Sequence, residues 1–162
     1  RLFQEVREFR GLCYSVYAFH WGFSDTGIFG IHAATGGENL PELVPVIIDE
    51  LHKSADQIHQ KEIERARAQI RAQLLMGQES PASRAGQIAR QMMLYGRPIS
   101  NMEMMERLEG ITIERLTDLA GRLFYDTVPT LSAIGPLEQL APMEDITASL
   151  SVPASKTLQA SR

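Results

Sequence analysis

The chain contains one cysteine, Cys13, a modest number of basic residues and no long apolar run. A single cysteine excludes an intrachain disulfide and a metal site made of several thiolates. The 16 Lys and Arg residues are outnumbered by 20 Asp and Glu, and the net charge of -4 argues against nucleic acid as the main partner, because phosphate binding requires a basic face. No apolar stretch approaches the length of a membrane span.

Sequence motifs of self-contained catalysis are also absent. There is no Gly-x-Ser-x-Gly turn for a serine nucleophile and no phosphate-binding loop. The nearest approach to a metal motif is the segment from His59 to Ile63, in which isoleucine replaces the second histidine of the zinc pattern His-x-x-Glu-His. We therefore interpret this segment as the solvated start of a helix, and we predict no metal ligand in the chain.

Two pairs of histidines also have suggestive spacing. His52 and His59 are seven positions apart and would share one face of a continuous helix, whereas His20 and His32 fall on two strands that are expected to pair. Two histidines alone rarely hold zinc, and no carboxylate is clearly placed to complete either set. Both pairs are therefore interpreted as structural residues.

The apolar residues of the chain suffice for the core of one folded domain, since 44% of its 162 residues are hydrophobic and 22% are charged. Aromatic and β-branched residues predict a hairpin of two strands joined by a turn. Apolar residues spaced by three and four predict helices. The predicted order is a helix over 1–9, strands over 12–21 and 28–33, helices beginning near 40, 61, 81, 101 and 113, and a third strand over 130–134.

Capping signals mark where most of these helices begin and end. Ser, Thr or Asn precedes a helical pattern, in two cases with Glu three positions later, and a glycine follows the helix that begins near 81. The predicted cap residues are Asn39 with Glu42, Ser80 before Pro81, Gly96, Ser100 with Glu103, and Thr112.

The order of elements indicates an α+β fold with a mostly antiparallel sheet and several helices layered on one face. Three strands are few for so many helices, Arg1 is not a methionine, and Leu2–Val6 already has the pattern of a helix interior. We therefore expect a partial domain that lacks its N-terminal strands. We expect this domain over residues 1–136, followed by a loosely packed C-terminal tail over 137–162 that contains a single helical turn.

Arg7 and Tyr14, seven positions apart, are the most informative pair in the chain. They flank Gly11, the one obvious break between the first helix and the first strand. A guanidinium and a phenol at such a corner can both donate hydrogen bonds to one carbonyl oxygen. An Arg7 paired with a surface carboxylate and a Tyr14 half-buried in a strand fit the same spacing, and the spacing alone favours that second interpretation.

Three segments, in order over roughly residues 1–136, resemble the second domain of pitrilysin-type zinc metallopeptidases, the family that includes mitochondrial processing peptidase and insulin-degrading enzyme. The segments are RLFQEVRE with RGLCYSV (residues 1–8 and 10–16), SRAGQIARQ with LYGRP (83–91 and 94–98), and Ile111-Thr112 opening a helix that leads to AIGP (133–136).

The resemblance implies a role for this chain in a zinc metallopeptidase. It implies that a zinc ion is held in a different, N-terminal domain of the parent protein, that this chain binds no zinc and is inactive alone, and that Arg7 and Tyr14 contact the backbone of a peptide substrate. The implied partners are a peptide or unfolded polypeptide, the N-terminal domain and a second subunit in a homo- or heterodimer.

Two other functions fit the sequence. A non-catalytic scaffold or partner subunit of the same fold would share these segments, and an unrelated α+β interaction domain would share the order of elements. The acidic composition and the lack of disulfides favour a cytoplasmic location, with the periplasm as the alternative.

Overall fold

The computed structural model describes residues 1–125 and 127–151. The chain begins with a short helix of the π type, Phe3–Phe9, and continues into a hairpin and a series of α-helices. In order, these elements are β1 (Ser15–Gly22), β2 (Gly27–Ala34), α1 (Leu40–Asp56), α2 (Gln60–Gly77), α3 (Pro81–Tyr95), α4 (Asn101–Glu109), α5 (Ile113–Phe124) and α6 (Met143–Ser151).

The hairpin confirms the predicted α+β class. Strands β1 and β2 pair with each other in one antiparallel sheet, and the Phe23 N–H donates to the Thr26 carbonyl at 2.9 Å in the turn between them. Alternate side chains of a strand point to opposite faces. Val16, Ile31 and Ala33 on one face pack into the core with helix α1, whereas Tyr17 and Trp21 on the opposite face are exposed.

The described residues form two compact units. The first contains Arg1–His20, Phe29–Gln57 and the described residues from Thr117 onward; the second contains Trp21–Ile28 and Ile58–Leu116. The first unit has a core in which the N-terminal helix, the hairpin and α1 meet. Its buried members are Val6, Leu12, Cys13, Val16 and Leu43. Val6 is fully buried, which stabilises this corner by roughly 1.5–3 kcal/mol.

A second core cluster of the same unit joins α1, α5 and α6. Ala55, Ala120, Phe124 and Leu150 are its buried members. The buried His52 ring donates from Nε2 to the Leu150 carbonyl oxygen at 3.0 Å, which ties the last helix to α1. This bond fixes the ring nitrogen that carries the proton, because a carbonyl oxygen can only accept.

The helices of the second unit have clear capping residues at their ends, and the predicted caps are confirmed there. The Ser80, Ser100 and Thr112 hydroxyl oxygens accept the backbone N–H three residues later at 3.3, 3.2 and 3.3 Å. Gly96 ends α3 with φ of 69°, a left-handed conformation that favours glycine. None of the helices among the described residues has the length and apolar character that a membrane span needs.

The predicted cap at Asn39 is wrong. Gly37–Asn39 forms a short 3₁₀ turn that runs directly into α1, and the backbone of Asn39 is already helical, with φ of -91° and ψ of -9°. An N-cap residue requires an extended backbone so that its side chain can reach back to the first turn. Accordingly, the Asn39 side chain accepts no hydrogen bond from the helix.

The predicted strand over 130–134 is also wrong, since this described segment is irregular. A strand exists only where a partner satisfies its backbone groups, and the sheet of the described residues contains only β1 and β2. The C-terminal region instead holds α6, which is longer than the single turn expected and buries Leu150. Residues 152–162 lie outside the described residues, and the boundary at residue 136 stays a prediction.

The ion pairs around Glu103 in the second unit predict a shifted titration. Arg97 donates to both carboxylate oxygens of Glu103 at 2.8 and 2.7 Å, and Arg107 donates to one of them at 2.6 Å. The bond from Arg97, followed by that from Arg107, lowers the pKa of Glu103 from 4.5 to about 2. The pair therefore stabilises the fold fully above pH 4.5, and this stabilisation is lost as the pH falls through about 2.

We expect Arg97→Gln to raise the pKa of Glu103 more than Arg107→Gln does, because Arg97 makes two bonds and Arg107 one. NMR titration of the Glu103 side-chain carboxyl carbon measures both shifts. Equal shifts in the two variants, or none in either, would show that the paired geometry does not hold in solution.

Candidate functional site

The corner between the N-terminal helix and β1 is closed by backbone hydrogen bonds. The Gly11 N–H donates to the Arg7 carbonyl at 3.1 Å, and the Leu12 N–H donates to the Val6 carbonyl at 2.9 Å. Gly11 has φ of +63°, which L-residues with a side chain adopt only at a cost. The glycine break seen in the sequence is thus a left-handed turn that reverses the chain after Arg7.

Replacing Gly11 by alanine should lower the free energy of unfolding by about 1 kcal/mol, because the added Cβ disfavours this conformation. No atom lies within 4 Å of the position that this Cβ would take, so the cost comes from the backbone alone. Gly86→Ala, inside α3 with equally open surroundings, is the matched control and should raise stability by roughly 0.5–1 kcal/mol. Urea denaturation of the chain measures both; a Gly11→Ala variant as stable as the parent would contradict the turn.

The other side of the corner fixes the backbone of Tyr14. Its N–H donates to the Ala34 carbonyl at 2.9 Å, so it is tied to the end of β2 one residue before β1 begins. The two preceding residues, Leu12 and Cys13, are buried in the core. The Thr35 hydroxyl donates to the Leu12 carbonyl, which adds a second link between the corner and β2. The Cα of Tyr14 is therefore held while its side chain extends outward.

The structure brings the side chains of Arg7 and Tyr14 together on the surface. The Cζ atom of Arg7 lies 5.8 Å from the centroid of the Tyr14 ring and 4.9 Å from that of the Phe3 ring. Tyr14 is 84% exposed, so it is not a half-buried strand aromatic. Among the described residues no carboxylate lies within ion-pair distance of Arg7, whereas its neighbour Arg10 pairs with Glu42 at 3.1 Å.

A shallow open depression of about 340 Å³ lies next to Tyr14. It lies where the corner meets the end of β2 and the segment that follows it. It is lined by Gly11, Leu12, Cys13, Tyr14, Ala34, Thr35, Gly36 and Asn39.

Cys13, at the edge of this depression, is not equipped to act as a nucleophile. Burial raises the pKa of its thiol, and the nearby Arg7 charge opposes this shift only in part. A thiol with a raised pKa stays protonated near neutral pH, and the thiolate is the reactive form. Cys13 therefore serves as the small core residue that the sequence predicts.

The structure also explains the segment that approaches a zinc motif. The Glu62 carboxylate accepts the backbone N–H of His59 at 3.0 Å, which caps the start of α2. His52 is hydrogen-bonded in the core, the His32 ring packs at a tilt against Tyr17 with centroids 5.0 Å apart, and His20 is exposed. In residues 1–125 and 127–151, no group of three potential ligands is placed to hold a metal ion.

Sequence reasoning missed one member of the corner, Phe3. Its spacing of four from Arg7 on the first helix was a usable signal, since residues four apart are neighbours on a helix surface.

Comparison with known proteins places this corner in context. Residues 1–70, which include the N-terminal helix, the hairpin and α1, match the family model described as the peptidase M16 inactive domain. In solved structures, a chain of complex III2 from Candida albicans has the same fold, with a TM-score of 0.82 and 22% identity over 93% of this chain and 36% of that one.

Curated relatives extend the match along the chain. An uncharacterized zinc protease from Rickettsia bellii is 38% identical over 136 residues, which are 84% of this chain and 33% of the relative. A probable mitochondrial-processing peptidase subunit beta from Arabidopsis thaliana is 32% identical over 126 residues, 78% of this chain and 24% of the relative. The chain thus spans a third or less of the length of these relatives.

Proposed function

Because the chain belongs to the M16 peptidase family, as its inactive-domain part, we propose that it is the substrate-binding half of a zinc-dependent metalloendopeptidase. The observation that carries this proposal is the pair of exposed donors, Arg7 and Tyr14, side by side at a rigid corner. A peptide or an unfolded polypeptide is the proposed substrate. The proposed full-length protein is longer than this chain, in keeping with the length of its relatives.

The chemistry of the two side chains suits recognition of a peptide carbonyl. A guanidinium is charged at every physiological pH and presents several N–H donors in a fixed fork, and a phenol adds an O–H donor. A carbonyl oxygen accepts two hydrogen bonds, so it can receive one from each residue. Donors that are already in place stabilise negative charge on this oxygen at no cost of reorganisation, so they act most strongly in the transition state.

Over residues 1–125 and 127–151 no set of side chains fits a zinc site, so the proposal places zinc in another part of the full-length protein. Zinc would supply the hydrolytic chemistry there, while this chain binds and orients the peptide. In this proposal, the substrate side chain next to the bound carbonyl lies in the depression beside Tyr14. Because Tyr14 precedes β1 and bonds to the end of β2, an extended peptide could run along this end of the hairpin.

A second candidate function is that of a non-catalytic scaffold or partner subunit. The observation in its favour is that the solved neighbour with the same fold is a chain of complex III2. In either case the proposed partners are the N-terminal domain and a second subunit, and the proposed location is cytoplasmic. The name zinc protease, borne by a relative 38% identical, favours the peptidase.

Hydrolysis of a quenched fluorescent peptide library by the full-length protein separates the two functions. The peptidase predicts turnover that stops on removal of metal by a chelator and returns when zinc is added back. The scaffold predicts no turnover with or without zinc. The upstream sequence offers an independent check, because the peptidase requires a His-x-x-Glu-His segment or an equivalent ligand set there.

A further inference from the structure

We propose that Phe3 is a positioning residue that holds the Arg7 guanidinium beside Tyr14; this inference rests on the proposed function. The Cζ atom of Arg7 lies 4.9 Å from the centroid of the Phe3 ring, closer than the 5.8 Å to the Tyr14 ring. A cation is attracted to the face of an aromatic ring at such distances. The guanidinium therefore lies within cation–π distance of two rings, one from the N-terminal helix and one from the residue before β1.

The N-terminal helix creates this contact. Phe3 and Arg7 are four residues apart in a helix whose turn is wider than that of an α-helix, so both side chains lie on one face. The neighbouring residues of this helix make the core contacts, since Val6 is fully buried and Leu2 packs against the same core. Phe3 itself is 46% exposed, so burial does not account for an aromatic residue at this position.

Holding the guanidinium matters because an arginine side chain has many rotamers. An exposed arginine with no partner would lose much of this freedom on binding a peptide, which weakens binding. Arg7 has no carboxylate to restrain it among the described residues, and the two rings are its restraint. A carboxylate in their place would occupy the N–H donors, whereas attraction to a ring face does not require a hydrogen bond and leaves the donors available to a peptide.

The contact is tested first by NMR of the chain. The Arg7 Nε–Hε signal should be displaced by the ring currents of its neighbours. Phe3→Leu should move it toward the position of exposed arginines, whereas Phe3→Tyr, which keeps a ring, should leave it displaced. Phe9→Leu is the matched control, because Phe9 lies on the same helix, is 74% exposed and has no cation over its ring among the described residues. An Arg7 signal that does not move in Phe3→Leu overturns the proposal.

The functional part is tested with peptide hydrolysis by the full-length protein. Phe3→Leu should lower kcat/KM about two- to fivefold, the change that corresponds to one exposed cation–π contact. Phe3→Tyr and Phe9→Leu should retain activity. When Arg7 is already replaced by glutamine, adding Phe3→Leu should lower kcat/KM no further. A moved signal with unchanged kcat/KM overturns the positioning role. If Arg7→Gln itself has no effect, the proposed function fails, and the NMR result still decides whether the ring contact exists.

Discussion

Replacing Tyr14 by phenylalanine in the full-length protein should lower kcat for peptide hydrolysis about 100-fold and leave the fold intact. The substitution removes one hydroxyl from a side chain that is 84% exposed, so no core contact is lost. Loss of a single preorganised donor to a developing oxyanion typically lowers kcat by roughly 100- to 1,000-fold. Steady-state kinetics on one cleavable peptide, with circular dichroism as the check of folding, measures the effect.

Tyr95→Phe is the matched control for this experiment. Tyr95 is also an exposed tyrosine, at the end of α3 in the other compact unit, and it is not part of the corner. Its substitution should leave kcat unchanged. If Tyr14→Phe behaves like Tyr95→Phe, the phenol takes no part in the reaction and the proposed role of Tyr14 is wrong.

The second large effect is expected for Arg7→Gln. Hydrogen bonds from charged groups contribute roughly 1.5–3 kcal/mol, so kcat/KM should fall by about 10- to 100-fold. Arg7→Lys should recover only part of this loss, because an ammonium keeps the charge but lacks the forked donors. Kinetics at several salt concentrations separates the contribution of the positive charge from that of the forked donors, because the general attraction of a cation weakens as salt is added.

Arg10→Gln serves as the control for charge. Arg10 lies three residues away, and its exposed ion pair with Glu42 at 3.1 Å is of a kind that contributes little. Its loss should leave kcat/KM within about fivefold of the parent value, since such pairs are worth roughly 0–1 kcal/mol. An equal loss of activity in Arg10→Gln and Arg7→Gln would show that only net charge at the corner matters.

Those parts of the fold that local chemistry determines could be predicted from the sequence. The Ser80–Pro81 start of α3, its end at Gly96 and the turn at Gly11 each depend on the conformational preference of one or two residues, and the structure has all three. The Asn39 cap was predicted from the same kind of signal and is wrong. It fails because Gly37–Asn39 forms a 3₁₀ turn that leads directly into the helix, so the backbone of Asn39 is already helical.

Features that depend on distant parts of the chain could not be predicted. Residues 130–134 have the composition of a strand but no partner in the sheet of the described residues. The role of His52 depends on the carbonyl of Leu150, 98 positions away, which no local pattern reveals.

At the candidate site, the sequence indicated Arg7, Tyr14 and the break at Gly11, and the family resemblance gave the two side chains a role. The sequence could not show that both are exposed and adjacent, because that depends on the conformation of the corner. The spacing of four from Arg7 makes Phe3 a neighbour on the helix surface, but only the structure shows its ring 4.9 Å from the Arg7 Cζ atom.

A double-mutant cycle on Arg7→Gln and Tyr14→Phe tests most directly whether both side chains grip one peptide carbonyl. The measured quantity is kcat/KM for the two single variants, the double variant and the parent, all as full-length protein. Residues that share one acceptor are expected to couple by roughly 0.5–3 kcal/mol, so the double variant should lose clearly less than the product of the two single losses. Losses that multiply in full would show that the two residues act on separate groups, and would contradict the shared grip.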